Sequence, residues 1–268
     1  MTLRVASLPM YLANKDAVNT LWKSLRQGLN AAGLTHVAAE LTWPQDYHAH
    51  WLETDLLLSQ SCGYPFTDDL AGKVQLVGCF AYNAPQCEGI QCGSVLIARQ
   101  EHACLKPEDF RGMRAAFNAP NSQSGYNAFR AWAAPLALGG QFFSSAIETG
   151  GHSASVQAVR TGLADLASID CVTYAALIRY TPAATEGLAI VGTTPTYPGL
   201  PLITSSTTSA ADIGTLHTAL RDVLTNPEAT PTLEALGIVG FETPDPSIYQ
   251  RCVAMRKFAE DLAYPTLA

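Results

Sequence analysis

Residues 81–93 read AYNAPQCEGIQCG, and residues 193–201 read TTPTYPGLP. Both stretches are rich in turn-setting residues, glycine, proline and asparagine in the first and proline and glycine in the second, which interrupt regular structure. Before the first stretch, apolar runs at 3–8, 37–41, 55–59 and 75–79 read as buried strands. Between the first two runs, Val18, Leu21, Trp22, Leu25, Leu29 and Ala32 recur at helical spacing, from Asp16 to a stop at Gly33. After it, strands are expected at 94–99, 113–117, near Ile147, at 166–169 and at 188–192, alternating with helices at 122–138, 153–161 and 171–179. This alternation predicts α/β architecture with parallel sheets. Helical patterns with few strand candidates fill the chain beyond 201. Two turn-rich crossings imply a discontinuous first lobe, residues 1–95 plus 193–268. A second lobe, residues 96–192, is inserted into it, with a cleft between the two and a hinge in the connections.

The 268 residues are 48% hydrophobic and only 15% charged, which excludes a disordered or heavily solvated chain. A net charge of −7 argues against a nucleic-acid binder working through a broad basic field, so an anion must be caught locally. The uncharged run 131–147 is broken by Pro135, Gly139, Gly140 and Gln141, so membrane insertion is not expected. The opening MTLRVASLPMY lacks the apolar core of an export signal, and strand-like residues begin at Leu3. That favours Met1 as a native start in the cytoplasm; the alternative is a periplasmic protein whose signal has been removed.

Seven cysteines at irregular spacing, with no C-x-x-C, argue against a zinc ribbon or a dense disulfide framework. Most are expected to be buried thiols, with Cys87 and Cys92 a candidate pair in an oxidising compartment. His48 and His50 lie in DYHAH (46–50), but alternate residues of a helix diverge, so no metal site is expected there. The sequence has no G-x-S-x-G, no P-loop and no G-x-G-x-x-G, so no cofactor is expected.

Three polar segments follow apolar strands. DLLLSQSCGYP (55–65) ends in Ser59, Gln60 and Ser61, and in open α/β sheets ligands bind beyond such strand ends; an ordinary strand-to-turn exit reads the same way. NAPNSQSGYN (118–127) opens a helix, whose free amides suit an oxyanion. There Ser122 and Ser124 add hydroxyls and Gly125 lets a ligand approach the backbone, with Tyr126 adjoining; the plain alternative is an N-cap serine. In TGGHSASVQAVRTGLADLASIDCVTY (149–174), His152 stands at a second helix start. Asp170 ends a buried strand, either to meet a cationic group or to cap the next helix. Tyr11 follows the first strand, where it lines the cleft or packs in the core.

In their order, ASLPMY, DLLLSQSCGYP, NSQSG, GGHSASVQAVRTGLADLASID and TPTYPGLP resemble the phosphonate-binding family of substrate-binding proteins from ABC transporters. That family has the two-lobed type II periplasmic-binding fold. The resemblance spans nearly the whole chain. It implies non-catalytic binding of a small anionic ligand, a phosphonate, phosphate or relative, and a transporter permease as partner. It assigns Ser122, Ser124 and Gly125 to the anion cradle and His152 to the second turn, faced by Ser59 and Tyr11. Members that bind aminophosphonates place carboxylates near the ligand amine; only Asp170 is available here. The anion loop reads Ser-Gln-Ser where Ser-Thr-Ser is common in that family. The rival expectation is a cytoplasmic biosynthetic enzyme on the same fold, using Cys62, His152 or Asp170.

Overall fold

The computed structural model describes residues 3–268; Met1 and Thr2, assigned above to the first lobe, lie outside the described residues. β1 (Val5–Ser7) is followed by α1 (Lys15–Ala31), α2 (Tyr47–Trp51), β2 (Leu56–Gln60), α3 (Gly63–Thr67) and β3 (Val74–Tyr82). The turn-rich connection holds two short strands, β4 (Cys87–Glu88) and β5 (Gln91–Cys92). Then come β6 (Ser94–Arg99), β7 (Arg114–Phe117), α4 (Ala128–Ala133), β8 (Ser145–Glu148), α5 (His152–Arg160), β9 (Leu166–Asp170), α6 (Cys171–Tyr180) and β10 (Leu188–Thr193). β11 (Tyr197–Pro198), β12 (Pro201–Ser205), α7 (Ala210–Thr225), α8 (Thr230–Leu236), β13 (Ile238–Glu242) and α9 (Gln250–Asp261) complete the order. No helix among the described residues is long and apolar enough to cross a membrane.

The chain divides into two compact units. Unit 1 runs to Asn83 and takes in Glu88–Ile90 and Gly199–Ile248; unit 2 is Ala84–Cys87, Gln91–Pro198 and Tyr249–Ala268. Residues 249–268, expected in the first lobe, therefore belong to unit 2. The reason is packing: α9 lies on α4, and Tyr264 and Leu267 are buried with Phe129, Phe142 and Phe143. Residues 84–87, 91–95 and 193–198, also expected in the first lobe, fall in unit 2 as well.

In unit 1, Asn14 caps α1 by accepting from the Ala17 amide, and the apolar stripe Val18, Leu21, Trp22, Leu25 and Leu29 is buried. That helix packs against α7 and α8. The sheet order is β1-β2-β12-β3-β13. Only β1 and β2 run parallel; β12 is antiparallel to both its neighbours and β13 is antiparallel to β3. The sheet is thus mixed rather than parallel, because β12 and β13, which the pattern beyond 201 concealed, enter it from the opposite direction. Residues 37–41 do not form the expected strand. The carbonyls of Val37 and Ala38 accept from Arg26 Nε and Trp22 Nε1, leaving a single bridge from Val37 to Arg4.

In unit 2 the sheet order is β10-β6-β9-β7-β8, with β7 parallel to β8 and β9 and β6 antiparallel to β9 and β10. Asp165, at the entrance to β9, accepts from the Arg114 amide and guanidinium and from Arg99. Those hydrogen bonds hold its carboxyl well below the usual range, so this acid is a strut of the sheet. The helix expected over 122–138 is three pieces: a wide π-type turn at Gln123–Asn127, then α4, then a tight turn at Ala134–Leu136. The widening follows from the Asn127 amide donating to the Ser122 carbonyl, and Pro135, lacking an amide hydrogen, accompanies the last change.

Gly78 in β3 faces β13 so closely that an added Cβ would stand 2.4 Å from Phe241 Cε2 and 2.6 Å from the Glu242 carbonyl. Gly78→Ala is expected to destabilise the protein by about 1–3 kcal/mol through overpacking. A lowered urea midpoint checks this; an unchanged midpoint would mean that β13 yields without cost.

Candidate ligand-binding site

In unit 2, the strand end of β7 leads into the turn that carries Ser122, Ser124 and Gly125. The Ser122 hydroxyl accepts from the Gly125 amide at 3.1 Å and lies 3.5 Å from the Ser124 hydroxyl. Ser124 Oγ in turn lies 2.9 Å from His152 Nε2, on the first residue of α5. The expected Ser122, Ser124, Gly125 and His152 thus form one chain of hydrogen-bonding groups. Gly125 is required by space: a Cβ there would fall 2.0 Å from Asn118 Oδ1 and 3.1 Å from His152 Cε1.

The main chain of this turn is fixed from below. The Ser124 carbonyl accepts from Ser94 Oγ at 3.0 Å and from Ser168 Oγ at 2.7 Å, and the Ser94 and Tyr197 hydroxyls are 2.6 Å apart. Ser94, Ser168 and Tyr197 are buried and were not singled out from sequence. For the two serines the only signal was a lone hydroxyl in an apolar strand, Ser94 before VLIA and Ser168 within LASID, while Tyr197 lies in the turn-rich stretch 193–201.

Burial lowers His152 to about 4, so the ring is neutral at neutral pH. Its Nδ1 and the neighbouring Asn118 Oδ1 are buried without a hydrogen-bond partner. Asp170 pairs in register with Ser94 across β9 and β6, and its Oδ1 accepts from the Thr173 amide as the cap of α6. Burial raises its carboxyl to about 7, with Cys171 adding to the rise and the cap amides opposing it. The Tyr126 ring packs on Phe117 at 5.0 Å, with the Arg130 guanidinium over it at 5.6 Å, and so belongs to the packing beneath the turn.

Unit 1 carries its own polar set. Ser7 and Ser59 stand side by side at the ends of parallel β1 and β2. Ser59 Oγ donates at 3.4 Å to the carbonyl of Gln60, whereas the Ser7 and Ser61 hydroxyls are buried without a partner. Gln60 Nε2 donates to the Tyr82 hydroxyl at 3.2 Å, and the Tyr11 ring meets Tyr82 edge-on at 5.1 Å. Tyr11, Gln60 and Tyr82 line a recess whose remaining wall includes Leu8, Phe80 and Ile238. Ser7 and Tyr82 were not anticipated, since one sits inside an apolar strand and the other inside the turn-rich stretch 81–93. Cys62, half-buried, precedes α3 in this unit.

Elsewhere, Asp46 caps α2 by accepting from the Ala49 amide, His50 pairs with Glu53 at 3.2 Å, and His48 stands 4.0 Å from Asp69. The two histidines therefore engage different partners.

A search of curated proteins by sequence gives no match. Solved structures do match in fold. PhnD1 of Prochlorococcus marinus, in complex with methylphosphonate, superposes with a TM-score of 0.76 at 14% identity, covering 96% of this chain and 97% of that one. The binding-protein component of an ABC phosphonate transporter from Pseudomonas aeruginosa gives 0.74 at 17% identity, covering 97% and 88%. A Xanthomonas citri protein bound to ATP gives 0.73 at 13% identity, covering 97% and 98%. The architecture is that of the periplasmic binding proteins. A family model described as the periplasmic phosphonate-binding protein of an ABC transporter matches residues 13–249, and the chain belongs to that family.

Proposed function

We propose that the chain binds a phosphonate-type or phosphate-type oxyanion on the Ser122–Gly125 turn of unit 2, without catalysis, for delivery to a transporter permease. The observation that carries this reading is the hydrogen-bonded series from the Gly125 amide through Ser122 and Ser124 to His152. Ser122 Oγ accepts from an amide and so keeps its own hydrogen to donate. With Nε2 of neutral His152 donating to Ser124 Oγ, the Ser124 hydroxyl hydrogen also turns outward. Two hydroxyls on a fixed turn then meet the anion, supported by the local backbone dipoles.

Neutral donors suit a chain of net charge −7. Arg130, the cation beneath the turn, is buried and donates to the carbonyls of Pro265 and Arg256, so its charge is committed to the core. In unit 1, the hydroxyls of Ser7 and Ser61 are buried without a partner, and Gln60 pairs with Tyr82. The enzyme reading draws less support: Asp170 already serves as a helix cap, and the family is one of transporter binding proteins.

Calorimetric titration with methylphosphonate, phosphate, phosphite and sulfate tests the assignment. Ser124→Ala and His152→Gln are each expected to weaken the preferred anion about tenfold or more, roughly 1.4 kcal/mol, with thermal unfolding retained. Unchanged affinity in both would remove the turn as the site.

His152 also predicts a pH dependence of stability. Its folded pKa of about 4 lies below the unfolded value of 6.5, so the unfolded chain binds more protons between those limits. Its contribution is fully present above about 6.5 and is lost as pH falls toward about 4. His152→Gln should show a shallower decline of urea stability over that window; an identical decline in both proteins would contradict the buried neutral ring.

A further inference from the structure

Three cysteines from separate segments of unit 2 bring their sulfurs together. Cys87 Sγ lies 3.4 Å from Cys92 Sγ and 3.3 Å from Cys171 Sγ, and all three sulfurs are within 4.8 Å of one another. Cys87 sits on the first short strand of the turn-rich connection, Cys92 on the second, and Cys171 opens α6. Cys171 lies 79 residues beyond Cys92, so the convergence is made by the fold. Among the described residues no other group of three histidines, cysteines or acids converges in this way.

We propose that Cys87, Cys92 and Cys171 form a three-thiolate site for one soft d10 cation, Cu(I) or Zn(II). Metal–sulfur bonds of about 2.3 Å place ligand sulfurs roughly 3.7–4.0 Å apart, a few tenths of an ångström wider than the two spacings from Cys87. A disulfide from Cys87 to either neighbour would use two sulfurs and strand the third, whereas an ion uses all three. The surroundings suit ligation as well. Cys171 opens a ten-residue helix, which fixes its backbone at the cluster. The Gly93 amide donates to the Gln86 carbonyl at 2.9 Å, holding the two ends of the hairpin together around Cys87 and Cys92. Cys92 and Cys171 are buried while Cys87 is half-buried, which gives an ion shelter and a path of entry. Thiolate-only sets select soft ions over magnesium or calcium, and each thiol releases its proton to solvent as it binds.

The test uses the full chain, reduced with a phosphine and stripped of metal. It is titrated with Zn(II) against a chromophoric chelator and, in a separate arm, with Cu(I) against a Cu(I)-specific chelator. One equivalent of at least one ion is expected, with sulfur-only ligation from the protein in X-ray absorption. Cys87→Ser and Cys92→Ser should each lower the affinity by at least about 100-fold. Cys104→Ser, at an exposed thiol outside the cluster, should leave it unchanged. Thermal unfolding of each metal-free variant shows that the loss is not misfolding. Three results would overturn the site: no stoichiometric uptake of either ion, unchanged uptake in Cys87→Ser, or ready disulfide formation in a protein that takes up no metal when reduced.

Discussion

The Ser124 carbonyl, held by the hydroxyls of Ser94 and Ser168, is the constraint on which the Ser122–Gly125 turn, the proposed binding element, depends. A trans peptide points its carbonyl and the following amide in opposite directions, so fixing the Ser124 oxygen also fixes the Gly125 N–H. That N–H meets Ser122 Oγ, and the arrangement of both serine hydroxyls follows. Two hydroxyl donors on one buried carbonyl cost little, since each buried polar group finds its partner. Losing either would free the turn to rotate and would leave a buried polar group less well satisfied, typically at about 1–3 kcal/mol.

The same economy of charge runs through unit 2. Its strongest ion pairs, Asp165 with Arg114 and Arg99, brace the sheet, and Arg130 is spent on main-chain carbonyls below α4. What reaches the turn is neutral: hydroxyls, a glycine amide and an imidazole kept unprotonated by burial. On the proposed reading, such a site would recognise an oxyanion by geometry more than by field strength.

The grouping of Ser122, Ser124, Gly125 and His152 was legible because its signals are local. A serine and glycine turn after an apolar strand, and a histidine after Gly-Gly, declare themselves within ten residues. The supports beneath it were not. Ser94 and Ser168 look like ordinary strand residues until the antiparallel register of β6 and β9 brings both beneath Ser124. β12, which begins at Pro201, and β13, interrupted by Gly240, carried too little strand character to be seen. The placement of α9 with unit 2 rests on aromatic packing between residues more than a hundred positions apart, and the cysteine trio on a gap of 79 residues; neither has a periodicity to read.

Nitrogen-15 NMR of the Gly125 amide and the His152 ring during titration with methylphosphonate tests the central claim most directly. The account predicts that both signals move saturably, at the same ligand concentration, and that the ring remains neutral at pH 7 in the free protein. Saturable binding that shifts other residues and leaves Gly125 and His152 in place would contradict it.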